Sequence, residues 1–269
     1  MVDETDLPED MKAAFDDLKR EFVRYFVGLA FIAHVESGKM PKVFFRSGFV
    51  AEIGGRWWWV TAGHVIKAID EAVAANVVEG FRLLDQFDGP HKVGEIPFDY
   101  AGARKFYQDD EARGIDFGMI ELAPHYMALL KANGITAASR ETWNMVRFGQ
   151  YESPFWMYGF PTDGQPVQIN GPGFVSAKPV PGVIAVHRPA KKSKDVVKAQ
   201  YMRLRGVVSD DAGEIDGMSG GPIFGMRVDT RGVLRTRILA IQSGVLGRRV
   251  FGFPMGIAGQ LLEEELGRD

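Results

Sequence analysis

The chain reads as an all-β protein with a helix at each end. Between residues 27 and 122, short β-type runs at 27–35, 43–52, 57–62, 81–87 and 116–122 are broken by glycine, the spacing of barrels rather than of alternating strands and helices. Such runs return after residue 150, at 155–161, 166–176, 181–187, 200–208, 223–228 and 237–244. Helical periodicity is confined to the two ends and to short pieces at 63–75 and 126–132. The expected organisation is an N-terminal helix over 1–26, one β unit over 27–140, and a second β unit with a closing helix over 141–269.

In chain order, Met11, Phe15, Leu18, Phe22 and Phe26 recur at helical spacing within the charged segment 8–26. That predicts an amphipathic helix packed on the body, with self-association through it as the sharper alternative. The apolar run 26–33 is read as a buried first strand, since it is far shorter than the roughly 18 residues a membrane span needs. No membrane partner is expected. Trp57-Trp58-Trp59-Val60 forms a strand that ends in Thr61-Ala62-Gly63-His64-Val65, and Asp116 opens the strand 116–122. Residues 123–150 read as a connection with a helix from Tyr126 to Ala132, stopped by Asn133-Gly134. Arg188, Lys191, Lys192, Lys194 and Lys198 mark the solvated tip of a long hairpin, a docking patch being the rarer reading. Ile257, Leu261, Leu262 and Leu266 give a short C-terminal amphipathic helix.

With 46% hydrophobic and 25% charged residues in 269, the chain can bury a substantial core. A net charge of −3 leaves no basic footprint for nucleic acid, so none is expected as a partner. His34, His91, His125 and His187 lie in no catalytic context, and no His-Glu-x-x-His or related spacing occurs, so neither a metal nor a cofactor is expected. The absence of cysteine favours a reducing compartment. Met1-Val2-Asp3-Glu4-Thr5-Asp6 is acidic where a signal peptide is basic, which makes the expected location cytoplasmic.

The chemistry is concentrated in Gly217-Met218-Ser219-Gly220-Gly221-Pro222. A nucleophilic serine needs an exposed Oγ on a sharp turn, and backbone N–H groups that can approach an oxyanion without a Cβ in the way. Glycine-serine-glycine is also ordinary turn composition, a lone histidine is usually just packed, and an aspartate after Gly114 can simply cap a turn. What joins the three is their order, His64, Asp116, Ser219, which is that of a chymotrypsin triad. A Gly-x-Ser-x-Gly elbow of α/β-hydrolase type is also present, but that fold needs a histidine after the serine, and the last one here is His187. A subtilisin order lacks a matching serine block.

Thr61-Ala62-Gly63-His64, Asp116-Phe117-Gly118-Met119-Ile120 and Gly217-Met218-Ser219-Gly220-Gly221-Pro222 together resemble the signature blocks of the trypsin/chymotrypsin-like serine peptidase family. Ser47-Gly48-Phe49-Val50 followed by the tryptophan strand resembles the strand pair that delivers the histidine in bacterial members. The resemblance implies two six-stranded antiparallel β-barrels of chymotrypsin type with the active site between them. It implies a serine endopeptidase acting on a peptide or protein substrate, with His64 as base, Asp116 orienting it, Ser219 as nucleophile, and the N–H groups of Gly217 and Ser219 as the oxyanion hole. Gln242, Ser243 and Gly244 match the strand that pairs with an extended substrate, and Gly213 matches the base of the primary specificity pocket. A glycine there, with Glu214 and Asp216 nearby as competing charges, implies a small or medium apolar side chain at the cleaved position. Met218 departs from the family pattern, because zymogen-type members carry an aspartate there to receive a new N-terminal amine. Cleavage-triggered activation is therefore not expected. The rival from another class is a catalytically silent fold used as a binding or scaffold module, which would be free to lose any of the three residues.

Overall fold

The computed structural model describes residues 19–34, 41–85, 95–144, 151, 153–161, 167–169, 175–177, 181–188, 204–210, 215, 217–228 and 234–268. The strands of the N-terminal half are β1 (Gly28–Ala33), β2 (Lys42–Arg46), β3 (Phe49–Ile53), β4 (Arg56–Thr61), β5 (Val78–Leu84), β6 (Ile96–Pro97), β7 (Lys105–Asp110) and β8 (Ile115–Glu121), with α1 (Gly63–Ala74) between β4 and β5. Then follow α2 (Pro124–Ala132) and α3 (Arg140–Trp143). The C-terminal half holds β9 (Phe155–Gly159), β10 (Val167–Ile169), β11 (Val175–Ala177), β12 (Gly182–His187), β13 (Leu204–Val208), β14 (Pro222–Val228), β15 (Leu234–Leu246), β16 (Arg249–Pro254) and α4 (Met255–Leu266).

The C-terminal half closes into a six-stranded barrel, in the order β12-β13-β16-β15-β14-β9, with every pairing antiparallel. In the N-terminal half the described residues form two four-stranded sheets, β2-β1-β5-β6 and β3-β4-β8-β7, rather than one closed six-stranded barrel. The split arises at Ser47-Gly48, where the expected continuous run 43–52 breaks into β2 and β3. A Cβ on Gly48 would lie 2.5 Å from the Trp59 ring, so the chain passes there as bare backbone. Phe26 bridges to Phe49, and Val27 N–H donates to the Gly48 carbonyl at 3.1 Å, tying the two sheets at that corner. The run 166–176 is likewise two strands, β10 and β11, paired only with each other among the described residues.

Strand β4 shows why these residues make this layer. Side chains alternate across a strand, so Trp57 and Trp59 enter the core of the N-terminal half while Trp58 faces the C-terminal half. All three are buried, and two of the indole nitrogens have main-chain partners: Trp58 donates to Ile53 O at 3.2 Å and Trp59 to Val27 O at 2.7 Å. The sheet thus has a dry layer on each face. The layer on the Trp58 side joins the halves, with Phe117 stacked on Phe253 at 5.1 Å, Phe26 edge-on to Tyr158 at 4.7 Å and Phe22 stacked on Phe224 at 4.0 Å. A third core, with Met157, Val186, Met218, Ile223 and Ala240, fills the C-terminal barrel.

Residues 19–23 are the described end of the N-terminal helix, and Phe22 buries its side chain in the layer between the halves. Phe26 is not helical: the chain tightens through Tyr25 N–H to Phe22 O and Phe26 N–H to Val23 O, then extends into the bridge with Phe49. The C-terminal helix forms as expected, packed so closely that a Cβ on Gly259 would lie 2.4 Å from the Trp143 ring. The basic stretch lies outside the described residues beyond Arg188. No helix among the described residues is long and apolar enough to cross a membrane.

Candidate active site

His64 is the second residue of α1, and the glycine before it explains its placement. A Cβ on Gly63 would fall 2.0 Å from the Gln108 carbonyl oxygen and 2.9 Å from that of Phe117. The helix start therefore rests directly on the backbones of β7 and β8, and β8 carries Asp116. That carboxylate grips the histidine twice: Oδ1 accepts the His64 backbone N–H at 3.0 Å, and Oδ2 lies 2.8 Å from Nδ1. A carboxylate has no proton to give, so Nδ1 carries the hydrogen and Nε2 of the neutral ring keeps its lone pair. The imidazole is 40% exposed and the carboxylate 5%, an open base on a buried support.

The helix is braced from behind. Lys105 Nζ donates to Asp70 Oδ1 at 2.8 Å, and the Tyr100 hydroxyl reaches both Ile66 O, at 3.2 Å, and Asp70 Oδ1, at 3.0 Å. Burial, reinforced by the neighbouring Asp70 carboxylate, pushes the Tyr100 phenol well above its ordinary range, so it stays a donor. Asp109 and Asp110 end β7, with Asp109 opposite Asp116 in register. Asp109 is bound by Lys67 at 2.9 Å, a bond that holds the lysine ammonium above its usual value, and Asp110 accepts the Arg113 N–H at 3.0 Å.

The serine sits in two β-turns laid end to end. Met218 N–H donates to Ile215 O at 3.3 Å, and Gly221 N–H donates to Met218 O at 2.9 Å. The third position of each turn has positive φ, 89° at Gly217 and 93° at Gly220, which is the type II demand for glycine. Ser219 occupies the second position of the second turn, and its side chain is partly exposed. Among the described residues neither the Gly217 nor the Ser219 backbone N–H has a hydrogen-bond partner.

This double turn is seated against the strand that leads to the histidine. A Cβ on Gly220 would lie 1.9 Å from Thr61 Oγ1 and 2.4 Å from Ser47 O, and only Ala62 and Gly63 separate Thr61 from His64. Strand β15 holds the other side, with Gly220 N–H donating to Gln242 O and Gln242 N–H to Gly221 O, both at 2.8 Å. The structure thus brings His64 and Asp116 into contact and the serine turn onto the same strand end. Among the described residues no hydrogen bond joins Ser219 to His64.

The substrate positions fare unevenly. Both backbone groups of Gln242 bond to the serine turn, and among the described residues its buried carboxamide nitrogen and oxygen have no hydrogen-bond partner. Ser243 Oγ lies 3.5 Å from Phe251 O, and no described residue stands within 4 Å of a Cβ placed on Gly244. Gly213, Glu214 and Asp216 lie outside the described residues. Met218 is fully buried in the barrel core. Sequence reasoning quoted Ser47 and Thr61 as members of signature blocks but gave neither a role at the site, because their contacts with the serine turn join residues far apart in the chain.

The architecture is that of the trypsin/chymotrypsin-like serine proteases. The solved structure of an inactivated protease paralogue of the scabies mite, S-I1, aligns with a TM-score of 0.51 at 12% identity over 92% of this chain and 96% of that one. A thermostable serine protease, AL20, from an extremophilic microorganism aligns at 0.46 and 14%, covering 90% and 95%. A Mycobacterium tuberculosis protease in its active form aligns at 0.44 and 15%, covering 93% and 85%. No protein-family model and no curated protein matches the chain. At these identities the likeness is one of fold.

Proposed function

We propose that the protein is a serine endopeptidase hydrolysing peptide bonds through an acyl-enzyme. Ser219 Oγ attacks the carbonyl carbon while its proton passes to His64 Nε2, and the C–N bond then breaks as that proton goes to the leaving amine. Water repeats the sequence on the ester. Asp116 holds the ring and stabilises the imidazolium, and the N–H groups of Gly217 and Ser219 receive the oxyanion. Extended substrate lies along Ser243 and Gly244, in the cleft between two β units.

The observation that carries this reading is the double grip of Asp116 on His64, at 3.0 and 2.8 Å, beside a serine turn seated on the end of β4, the strand that leads to His64. The fold alone does not carry it, since the scabies mite paralogue has the fold and is described as inactivated. A silent scaffold has no need of a half-exposed imidazole locked to a buried carboxylate. The test is covalent labelling by a fluorophosphonate: wild type labels at Ser219, and Ser219→Ala neither labels nor hydrolyses peptides. Persistent labelling elsewhere in the variant, or an inert wild type, refutes the reading.

A further inference from the structure

Ser47 is fully buried in the gap between β2 and β3, with its hydroxyl engaged across the boundary between the halves and its carbonyl toward β4, the strand that leads to His64. Its Oγ accepts the Phe160 backbone N–H at 2.9 Å and donates to the Gly217 carbonyl at 3.3 Å, longer than the roughly 2.5–3.0 Å usual for a hydroxyl donor. Its own carbonyl accepts the Thr61 hydroxyl at 2.9 Å and lies 2.4 Å from where a Gly220 Cβ would be. A hydroxyl has one proton, so the bond to Phe160 dictates that Oγ–H goes to Gly217.

That carbonyl belongs to the peptide linking Gly217 to Met218, and the N–H of the same peptide donates to Ile215 O. The plane is thus held at both edges, by Ser47 on one and by the turn on the other. Holding it fixes the two torsions that adjoin the plane, ψ of Gly217 and φ of Met218, at a residue whose own φ is 89° and which without a Cβ would otherwise turn freely. The Gly217 and Ser219 N–H groups flank this plane.

We propose that Ser47 is a positioning residue for the oxyanion hole. Its hydroxyl locks the Gly217–Met218 peptide so that the two N–H groups stay turned toward the cleft, and it ties that peptide to the strand that delivers His64. This rests on the hydrolase reading above. Without the hydroxyl, the Gly217 carbonyl loses its partner and the turn can swing; displacement of a catalytic group by about 1 Å costs on the order of 100-fold in rate.

The experiment compares wild type, Ser47→Ala and Ser47→Cys, the last keeping the volume with a weaker donor. For each, kcat and KM are measured on one peptide, with the affinity of a peptide boronate that takes up Ser219 Oγ as a tetrahedral adduct, and the melting temperature. Ser47→Ala is expected to lower kcat and boronate affinity together by roughly 10- to 100-fold, with KM within about twofold, and Ser47→Cys to fall between. A folded Ser47→Ala with wild-type kcat and boronate affinity overturns the proposal, as do losses of kcat, KM and boronate affinity that merely follow the melting temperature. If Ser47→Ala does not fold, Ser47→Cys decides by the same split. Wild type that takes up neither fluorophosphonate nor boronate at Ser219 defeats the hydrolase reading itself; an active wild type matched by both variants defeats only the role of Ser47.

Discussion

The substitution Gly63→Ala tests how the histidine is placed. The added Cβ would stand 2.0 Å from the Gln108 carbonyl oxygen, 2.8 Å from its carbon and 2.9 Å from the Phe117 carbonyl oxygen. These are main-chain atoms of β7 and β8, paired with each other along the whole hairpin, so they cannot swing aside as a side-chain tip would. Relief to an ordinary contact of about 3.4 Å requires the start of α1 to lift by roughly 1 Å or more, and overpacking of this kind costs about 1–3 kcal/mol or somewhat more. Alanine's better helix propensity returns at most about 1 kcal/mol. For a chain of this size a net loss near 2 kcal/mol lowers the melting temperature by roughly 4–8 °C. The same lift breaks the 3.0 Å and 2.8 Å bonds to Asp116, so fluorophosphonate labelling should slow on the order of 100-fold, more than the stability loss alone explains. The control is Gly182→Ala, whose Cβ would first meet Pro161 at 3.7 Å and which should leave both readouts near wild type. Wild-type melting and labelling in Gly63→Ala would refute the claim that backbone contact seats the helix.

Two further substitutions probe the site's polar groups. Asp116→Asn keeps the shape but offers an amide where His64 Nδ1–H needs an acceptor; kcat should fall by about 10⁴ with melting little changed, and steady-state kinetics on the purified variant checks it. Gln242→Met replaces a buried carboxamide whose two polar atoms lack partners among the described residues by an apolar chain of similar volume, and should raise stability by about 1–3 kcal/mol in urea titrations; unchanged or lower stability would mean that the amide is already satisfied.

Much of the candidate site was legible because the proposed chemistry needs particular residue types in local blocks. Gly217 and Gly220 flank Ser219 where two type II turns demand positive φ, and a sequence shows that demand as glycine. His64 and Asp116 could be placed at strand ends because the tryptophan strand and the apolar run after Asp116 are strongly β-forming. What escaped depends on partners distant in the chain. Strand β7, Lys105–Asp110, carries Gln108, Asp109 and Asp110 and shows no apolar alternation; it is a strand because β8 pairs with it. Strand β16 contains Gly252 and ends in Pro254, and is held by β13 and β15 on its two sides. The run 43–52 looked continuous in hydropathy, and its break at Ser47-Gly48 follows from the Trp59 ring and the serine turn, both supplied from elsewhere. Phe26 kept the helical spacing, yet the last apolar position of a periodic run does not say where the helix stops.

The residues read as base and nucleophile come from opposite halves of the chain, so their distance is set by how the halves dock. Two kinds of contact do this, with different consequences. The aromatic layer runs from Phe117, beside Asp116, to Phe253 on β16, which pairs with the strand bracketing the serine turn. Burial of this kind is strong but non-directional, and stacked rings can slide with little loss. Hydrogen bonds have preferred lengths and angles and do not slide. Ser47, with bonds to Phe160, Gly217 and Thr61, and Gly220, pressed against Thr61, supply direction where the aromatic layer supplies adhesion. A register set by the rings alone would leave the serine turn free to shift along β4; the polar seam at Ser47 removes that freedom at the strand end that presents His64.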